Sequence, residues 1–198
     1  MLPSFAIGDK ILKRLLEIDE ATSARVAKWG CLHCTGPLHR ADYPRKPRGG
    51  LLAVFGEGYS TRISLCCGWE GCRRRATPPS VRFLGRRVYL GVVVMVASIF
   101  ANTTRAPGEV KRTTGIPRRT VNRWRKWWRS GFVKSRLFEE ERGRFVPPLE
   151  IEALPTSLVE RFFAVGRDAA DMLDRSLRFL APLTTQSVAN GGRFVREL

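Results

Sequence analysis

Apolar residues recur at helical spacing near the start of the chain, with Ile11, Leu12, Leu15, Leu16, Ile18 and Val26 on one side of residues 9–28. This period predicts an amphipathic helix with Asp9 as its N-cap. From Tyr59 to Cys66 the pattern changes to strict alternation, YSTRISLC, which predicts a short strand. Residues 88–101, VYLGVVVMVASIFA, are apolar throughout and predict a buried helix with a strand-like start. Further on, Val121, Trp124 and Trp128 fall one helical turn apart and are expected to face inward, with polar residues between them. The prolines of GRFVPPLEIEALPT, residues 143–156, predict a linker. Ser157 and Glu160 then form a capping-box pattern opening LVERFFAVG. A last amphipathic stretch, Asp168 to Leu180, is stopped by Pro182, and a glycine-containing tail follows from Thr184.

Charge sharpens this picture. The 198 residues carry 35 Lys and Arg against 18 Asp and Glu, a net charge of +17. Counted by segment, the net is +4 over 1–50, +5 over 51–100, +9 over 101–146 and −1 over 147–198, which sums to +17. The excess peaks over residues 101–146, as expected of a polyanion-binding middle followed by a neutral end. The apolar run at 88–101 is 14 residues long, short of the roughly 18–20 needed to cross a bilayer. The start, MLPSFAIGDK, lacks the basic and apolar regions of a secretory signal. A cytoplasmic protein without membrane contact is expected, in a compartment where thiols stay reduced and paired cysteines hold metal.

The five cysteines supply the first candidate chemistry. Cys31 and Cys34 form a CxxC knuckle, and Cys67 and Cys72 a slightly longer Cx4C one. Four thiolates from two knuckles suit a tetrahedral zinc ion in a structural role, the arrangement of a zinc ribbon. Cys66 competes with Cys67 for the third position. Cys67 is preferred because a tight loop containing Gly68 and Gly71 closes more readily on Cys72. His33 and His39 are reserve ligands. Between the knuckles, Arg45, Lys46 and Arg48 in YPRKPRGG predict a basic arm touching DNA backbone or minor groove.

The second candidate is TTGIPRRTVNRWRKWWR, residues 113–129. Gly115 marks a tight turn, and a helix opening at Pro117 follows, basic and without an acid. Two short helices joined at a glycine suggest a helix-turn-helix, whose second helix enters the major groove. Arg119, Asn122 and Arg123 are the candidate base contacts, since arginine pairs with guanine and asparagine with adenine. Arg112, Arg118, Arg125, Lys126 and Arg129 are left for the groove wall and phosphates. Lys111 stands where such a motif usually has a small residue, four positions before the glycine.

The two knuckles, CRRRATPPSVRF, the hydrophobic helix and GIPRRTVNRW together resemble the N-terminal DNA-binding region of zinc-ribbon insertion-sequence transposases, and small transposon-associated bacterial proteins of that layout. The resemblance covers about residues 29–130. Cys31, Cys34, Cys67 and Cys72 match the ribbon, Thr77 to Phe83 the turn, and Gly115, Ile116, Thr120, Val121 and Trp124 the reader. It implies a ribbon, a helix and a helix-turn-helix that reads an element's terminal repeats. The catalytic part of such enzymes, an RNase H-like domain with three metal-binding acids, has no counterpart. Asp168, Asp171 and Asp174 lie three apart on one helix, as a solvated stripe would, and no His-x-His pair is present.

These readings converge on a mainly α protein with a small β zinc ribbon, a helix-turn-helix reader and a C-terminal helical segment. The expected organisation is an N-terminal helix (1–28), a zinc ribbon with basic arm (29–85), a buried helix plus helix-turn-helix (86–142), and a linker with C-terminal helices and tail (143–198). The expected function is non-catalytic binding of double-stranded DNA, as a transposase-related accessory or regulator. Its protein partner would be a transposase or a second copy of itself. Two rivals are a subunit of a transposase or nuclease whose catalytic acids lie on a partner, and an RNA-binding zinc-ribbon protein that stacks bases on Trp124, Trp127 and Trp128.

Overall fold

The structure, a computed structural model, describes residues 9–45, 57–84, 89–103, 107–163 and 168–185. It is mainly helical, with small antiparallel sheets. The chain divides into two compact units: residues 89–177 form one, and residues 7–88 with 178–198 form the other. This differs from a four-segment organisation, because the first helix and the cysteine region belong to the same unit.

In the unit built from the two ends of the sequence, helix α1 spans Asp9–Trp29. It buries Ile11, Leu12, Leu15, Ile18 and Val26 on one face, as their spacing predicts. Strands β1 (Leu38–Arg40), β2 (Tyr43–Pro44), β3 (Thr61–Arg62), β4 (Leu65–Cys67) and β5 (Arg75–Ala76) follow. They form an antiparallel β1-β4-β5 sheet and a β2-β3 pair. The alternating stretch from Tyr59 to Cys66 is thus divided: Thr61 and Arg62 pair with β2, while β4 starts at Leu65 and pairs with β1. Val26 of α1 and Leu65 of β4 form a small core with Ala27, Leu38 and Ala76 against it.

A buried polar cluster fastens α1 to the segment after β5. Asp19 accepts hydrogen bonds from the Ser80 hydroxyl at 2.6 Å, the Val81 amide at 2.7 Å and Arg82 Nε at 2.8 Å. Both charged side chains are only 1% exposed. Arg82 also donates to the Thr61 carbonyl at 2.9 Å, and the neighbouring Arg62 donates to the carbonyls of Ile63 and Pro78. Burial holds the Arg62 guanidinium below its ordinary pKa, against the pull of the nearby Asp19 and Tyr43. The Ser80 amide donates to the Thr184 hydroxyl at 2.9 Å, which draws residues from the far end of the sequence into this unit.

The other unit is helical. Helix α2 (Gly91–Thr103) is the apolar run; it buries Gly91 to Met95, Ala97, Ser98 and Ile99, so it has almost no solvated face. Helices α3 (Pro107–Thr114), α4 (Arg118–Lys126) and α6 (Thr156–Phe163) pack around it. A π-helical turn, Trp127–Phe132, prolongs α4, and α5 (Arg136–Glu141) follows, capped by the Ser135 hydroxyl on the Phe138 amide. Trp128, Phe132 and Phe138 stack edge-on in sequence, and Trp128 Nε1 donates to the Ser98 hydroxyl of α2 at 3.2 Å.

Three readings of the C-terminal part change here. Residues 143–156 are packed: Phe145, Leu149 and Leu154 are buried, and Asn102 of α2 donates to the carbonyls of Ala153 and Leu154. Helix α6 opens at Thr156, and Ser157 donates to the Glu150 carbonyl, so Ser157 is not an N-cap. Helix α7 (Ala169–Leu180) does not carry a solvated acidic stripe. Asp174 is buried, Asp168 caps the Asp171 amide, and Asp171 pairs with Arg175. Among the described residues no helix is long and apolar enough to cross a membrane.

Candidate metal centre and basic helix

Two knuckles place four sulfurs together. The first begins at Gly30, in the left-handed region at φ +73°, where an added Cβ would stand 2.9 Å from the Thr35 carbonyl oxygen. The chain then folds back on itself, with the Thr35 amide donating to the Cys31 carbonyl and the Cys31 amide to the Gly36 carbonyl, both at 2.8 Å. The second knuckle follows β4. The Cys72 and Arg73 amides both donate to the Trp69 carbonyl at 3.0 Å, and the Cys67 amide to the Arg74 carbonyl at 2.9 Å. The Gly68 amide ties the knuckles together by donating to the Pro37 carbonyl at 2.9 Å. At Gly36 a Cβ would lie 3.0 Å from the Trp69 ring and 3.3 Å from Cys67 Sγ, so a bare backbone is what lets the second knuckle close over the first.

Cys31 and Cys72 sulfurs are 3.7 Å apart, those of Cys34 and Cys67 are 3.4 Å apart, and all four lie within 4.8 Å of one another. Sulfurs each about 2.3 Å from a central ion in a tetrahedron stand about 3.8 Å apart. The cluster therefore fits one metal ion, and the sulfurs are too far apart for disulfides, whose bond is near 2.0 Å. Cys66 is outside it: its thiol turns to the Arg73 carbonyl at 3.3 Å. His33 is engaged with Arg74, and His39 lies against Gly68.

The thiols do not share one acidity. Burial opposes ionisation of Cys31, but amide hydrogens of His33 and Cys34 and the Cys34 and Cys72 thiols outweigh it, and its pKa falls to about 7. The Gly36 amide favours the Cys34 thiolate, yet burial and the Cys67, Cys72 and Cys31 sulfurs push Cys34 up to about 12. Burial raises Cys67 as well, despite help from the Trp69 amide. Negative charge is concentrated on one sulfur because four thiolates repel one another; a divalent cation at their centre removes that repulsion.

The basic helix lies in the other unit. Gly115 takes φ +68° and its amide closes α3 on the Lys111 carbonyl at 2.9 Å, while Ile116 is fully buried. The α3 residue facing the core is Val110; Lys111 is exposed, which removes the difficulty of a large residue at that place. Pro117 precedes the helix with extended ψ, and its carbonyl receives the Thr120 and Val121 amides. Val121 and Trp124 are buried, with Trp124 edge-on to Tyr89 at 5.0 Å. Arg118, Arg119, Asn122, Arg123 and Lys126 are exposed on the opposite side, as is Arg112 on α3.

Other predicted contacts are placed differently. Arg129 pairs with the Glu152 carboxylate at 3.1 Å and donates to its carbonyl, so its guanidinium is committed within the protein. Arg125 is half-buried, and its Nε has no hydrogen-bond partner. Arg45 is half-buried over the Phe83 ring at 5.6 Å, at the end of the β2-β3 pair, and not on a free arm. Lys46 and Arg48 lie outside the described residues. The sequence reading missed the Asp19–Arg82 pair, since a carboxylate on a helix carries no sign of a partner 63 residues away. No protein-family model, curated protein or solved structure matches the chain.

Proposed function

We propose that this is a non-catalytic protein that binds double-stranded DNA, with α3 and α4 as a helix-turn-helix and the four cysteines holding a structural zinc ion. The observation that carries the reading is the division of α4: Val121 and Trp124 are buried, while Arg118, Arg119, Asn122, Arg123 and Lys126 are exposed without an acid among them. An exposed basic face on a rigid helix matches both the charge and the donor geometry of major-groove recognition. The chain's net charge of +17 supplies sequence-independent attraction to phosphate. Softness of the thiolates and a closed four-sulfur shell favour zinc in a structural role. Resemblance to insertion-sequence transposases supports a role as accessory or regulator of a mobile element in a reducing cytoplasm. Burial of Trp124 and Trp128, with Trp127 packed between Trp128 and Phe132, speaks against stacking on RNA bases.

The test is selection from random duplex and single-stranded libraries with the full chain, repeated on the Arg119→Ala, Asn122→Ala, Arg123→Ala triple variant. A preferred duplex site is expected, with each lost bidentate contact costing roughly 1–3 kcal/mol and relaxing preference at its position. Unchanged affinity and preference in the triple variant would exclude α4 as the reader.

A further inference from the structure

Large apolar side chains are left in solvent chiefly at the two knuckles. Of the five exposed ones among the described residues, Trp29, Leu32 and Trp69 lie within or beside the knuckles, and Trp69 is 54% exposed. Its ring rests against the Gly36 backbone, so the indole is held in place while more than half of its surface stays open. In this it differs from the buried Trp124 and Trp128. The second knuckle also brings Arg73, Arg74 and Arg75 to the surface. Arg74 is held by His33 at 3.0 Å, and Arg75 by the Ala41 carbonyl and the Ser64 hydroxyl, groups that carry no negative charge. Among the described residues no carboxylate pairs with any of the three arginines, and Glu70 is the single acid from Cys67 to Arg75.

An exposed arginine is ordinarily a solvated side chain. The backbone sets Arg73 apart. Its φ is +45°, in the left-handed region where a Cβ is strained and glycine is not. The turn imposes this conformation, since the Cys72 and Arg73 amides both donate to the Trp69 carbonyl at 3.0 Å before the chain enters β5. Thr35 occupies the matching place in the first knuckle at φ +59°, but its hydroxyl donates to the Cys34 carbonyl at 2.6 Å. The Arg73 guanidinium has no such local partner among the described residues. A strained position that carries a long, unpartnered cation points to a use outside the fold.

Trp69 and Arg73 emerge from one turn, four positions apart. An open indole beside an uncompensated cation suits a ligand that joins a planar ring to an anion, as each nucleotide of an unpaired strand does. Bases within a duplex are stacked on one another and cannot reach the indole. An uncharged apolar protein surface would cover the arginines without supplying counter-charge. We propose that the second knuckle binds single-stranded DNA, with one base stacked on Trp69 and its phosphate on Arg73. The choice of DNA over RNA rests on the reading that the protein binds DNA; the site itself is independent of α4.

The full chain is titrated, over a range of salt, with a labelled thymidine oligomer of about 12 nucleotides and with an abasic oligomer of equal length and charge. The thymidine oligomer is expected to bind more tightly, and equal affinities overturn the stacking. Trp69→Leu keeps apolar packing on Gly36 but has no aromatic face; it is expected to weaken the thymidine complex by roughly 5- to 150-fold and to leave the abasic one unchanged. Trp69→Phe restores a ring and most of the affinity. Arg73→Gly is expected to weaken both complexes and to flatten the slope of log K against log salt by about 0.7. Because glycine relieves the left-handed strain, the urea midpoint of Arg73→Gly should match or exceed that of the unmodified protein; a midpoint lowered by this variant would assign Arg73 to the fold and overturn its role. Unchanged thymidine binding in Trp69→Leu or in Arg73→Gly overturns the proposal, as does an unmodified protein that binds no single strand. Tighter binding of a uridine oligomer overturns the DNA assignment in favour of RNA. Displacement of the thymidine oligomer by polyglutamate at equal charge overturns it in favour of an acidic peptide. A blunt duplex keeps the two readings apart: an unmodified protein that ignores the duplex, yet loses thymidine binding in Trp69→Leu, refutes the duplex reading and supports this site.

Discussion

Replacing Asp19 by alanine isolates the energetic role of the buried ion pair. The carboxylate accepts from Ser80, Val81 and Arg82 at 2.6–2.8 Å, and the pair is 1% exposed on both sides. Alanine leaves a buried guanidinium without its counter-charge, a loss of about 3–5 kcal/mol. It also orphans the Val81 amide and the Ser80 hydroxyl, each a cost of about 1–3 kcal/mol if water cannot enter. Arg82 keeps the Thr61 carbonyl, and a small cavity admits some solvent, so the contributions overlap. A net loss of about 4–5 kcal/mol is expected, a large share of the ~5–15 kcal/mol that a domain has. Urea unfolding followed by circular dichroism reads this as a midpoint lowered by roughly 2 M, for a slope near 2 kcal/mol per molar. The companion variant, Asp19→Leu with Arg82→Met, removes both charges and is expected to recover at least half of the loss, because apolar replacement of a buried pair is often close to neutral. A loss below about 1 kcal/mol for Asp19→Ala, the range of exposed pairs, would refute the argument. So would a double variant less stable than the single one.

The remaining predictions concern the metal centre and the helical unit. Elemental analysis of the purified protein is expected to give about one zinc per chain, and Cys34→Ser and Cys72→Ser to lose it; a metal-free protein with a cooperatively folded β1-β4-β5 sheet would count against the centre. Gly30→Ala strains a left-handed position against the Thr35 carbonyl, and is expected to cost roughly 1–3 kcal/mol and to speed metal release to a chelator. Trp128→Ala empties the largest fully buried side chain among the described residues and leaves Ser98 without its indole partner, with an expected loss of about 3–5 kcal/mol in thermal or urea unfolding. A shift smaller than about 1 kcal/mol would place Trp128 outside the core.

How much of this was legible in the residues follows from how local each determinant is. Helix α1 and the inward face of α4 announce themselves because Ile11, Leu15 and Ile18, or Val121 and Trp124, repeat at the helical period whatever surrounds them. The cysteine set was readable from spacing, down to Cys67 over Cys66, through the tight glycine-containing loop to Cys72; the structure adds a second reason, since strand β4 sends adjacent side chains to opposite faces and only Cys67 meets the other knuckle. Long-range polar pairing was not readable. Asp19 and Asp174 look like ordinary solvated helix positions, and only the tertiary fold buries them. The segment 143–156 misled because its prolines outweighed Phe145, Leu149 and Leu154, whose irregular spacing has no period to detect. Arg129 and Arg45 are alike in this respect: a basic residue in a basic run carries no mark of the carboxylate or ring that claims it.

The hydrogen bond from the Ser80 amide to Thr184 has a consequence for biosynthesis. Residues 7–88 leave the ribosome first, yet the unit they belong to also includes the stretch from 178 onward, with the intervening helices translated in between. At about 5–20 residues per second, the 96 residues separating position 88 from position 184 take roughly 5–20 s to make. For most of that interval both knuckles are outside the tunnel while the unit around them is incomplete. The nascent thiols are then open to metal capture and to oxidation before their surroundings can fold. Early metal loading would protect them, and cells starved of the metal during synthesis, not after it, should accumulate the misassembled chain.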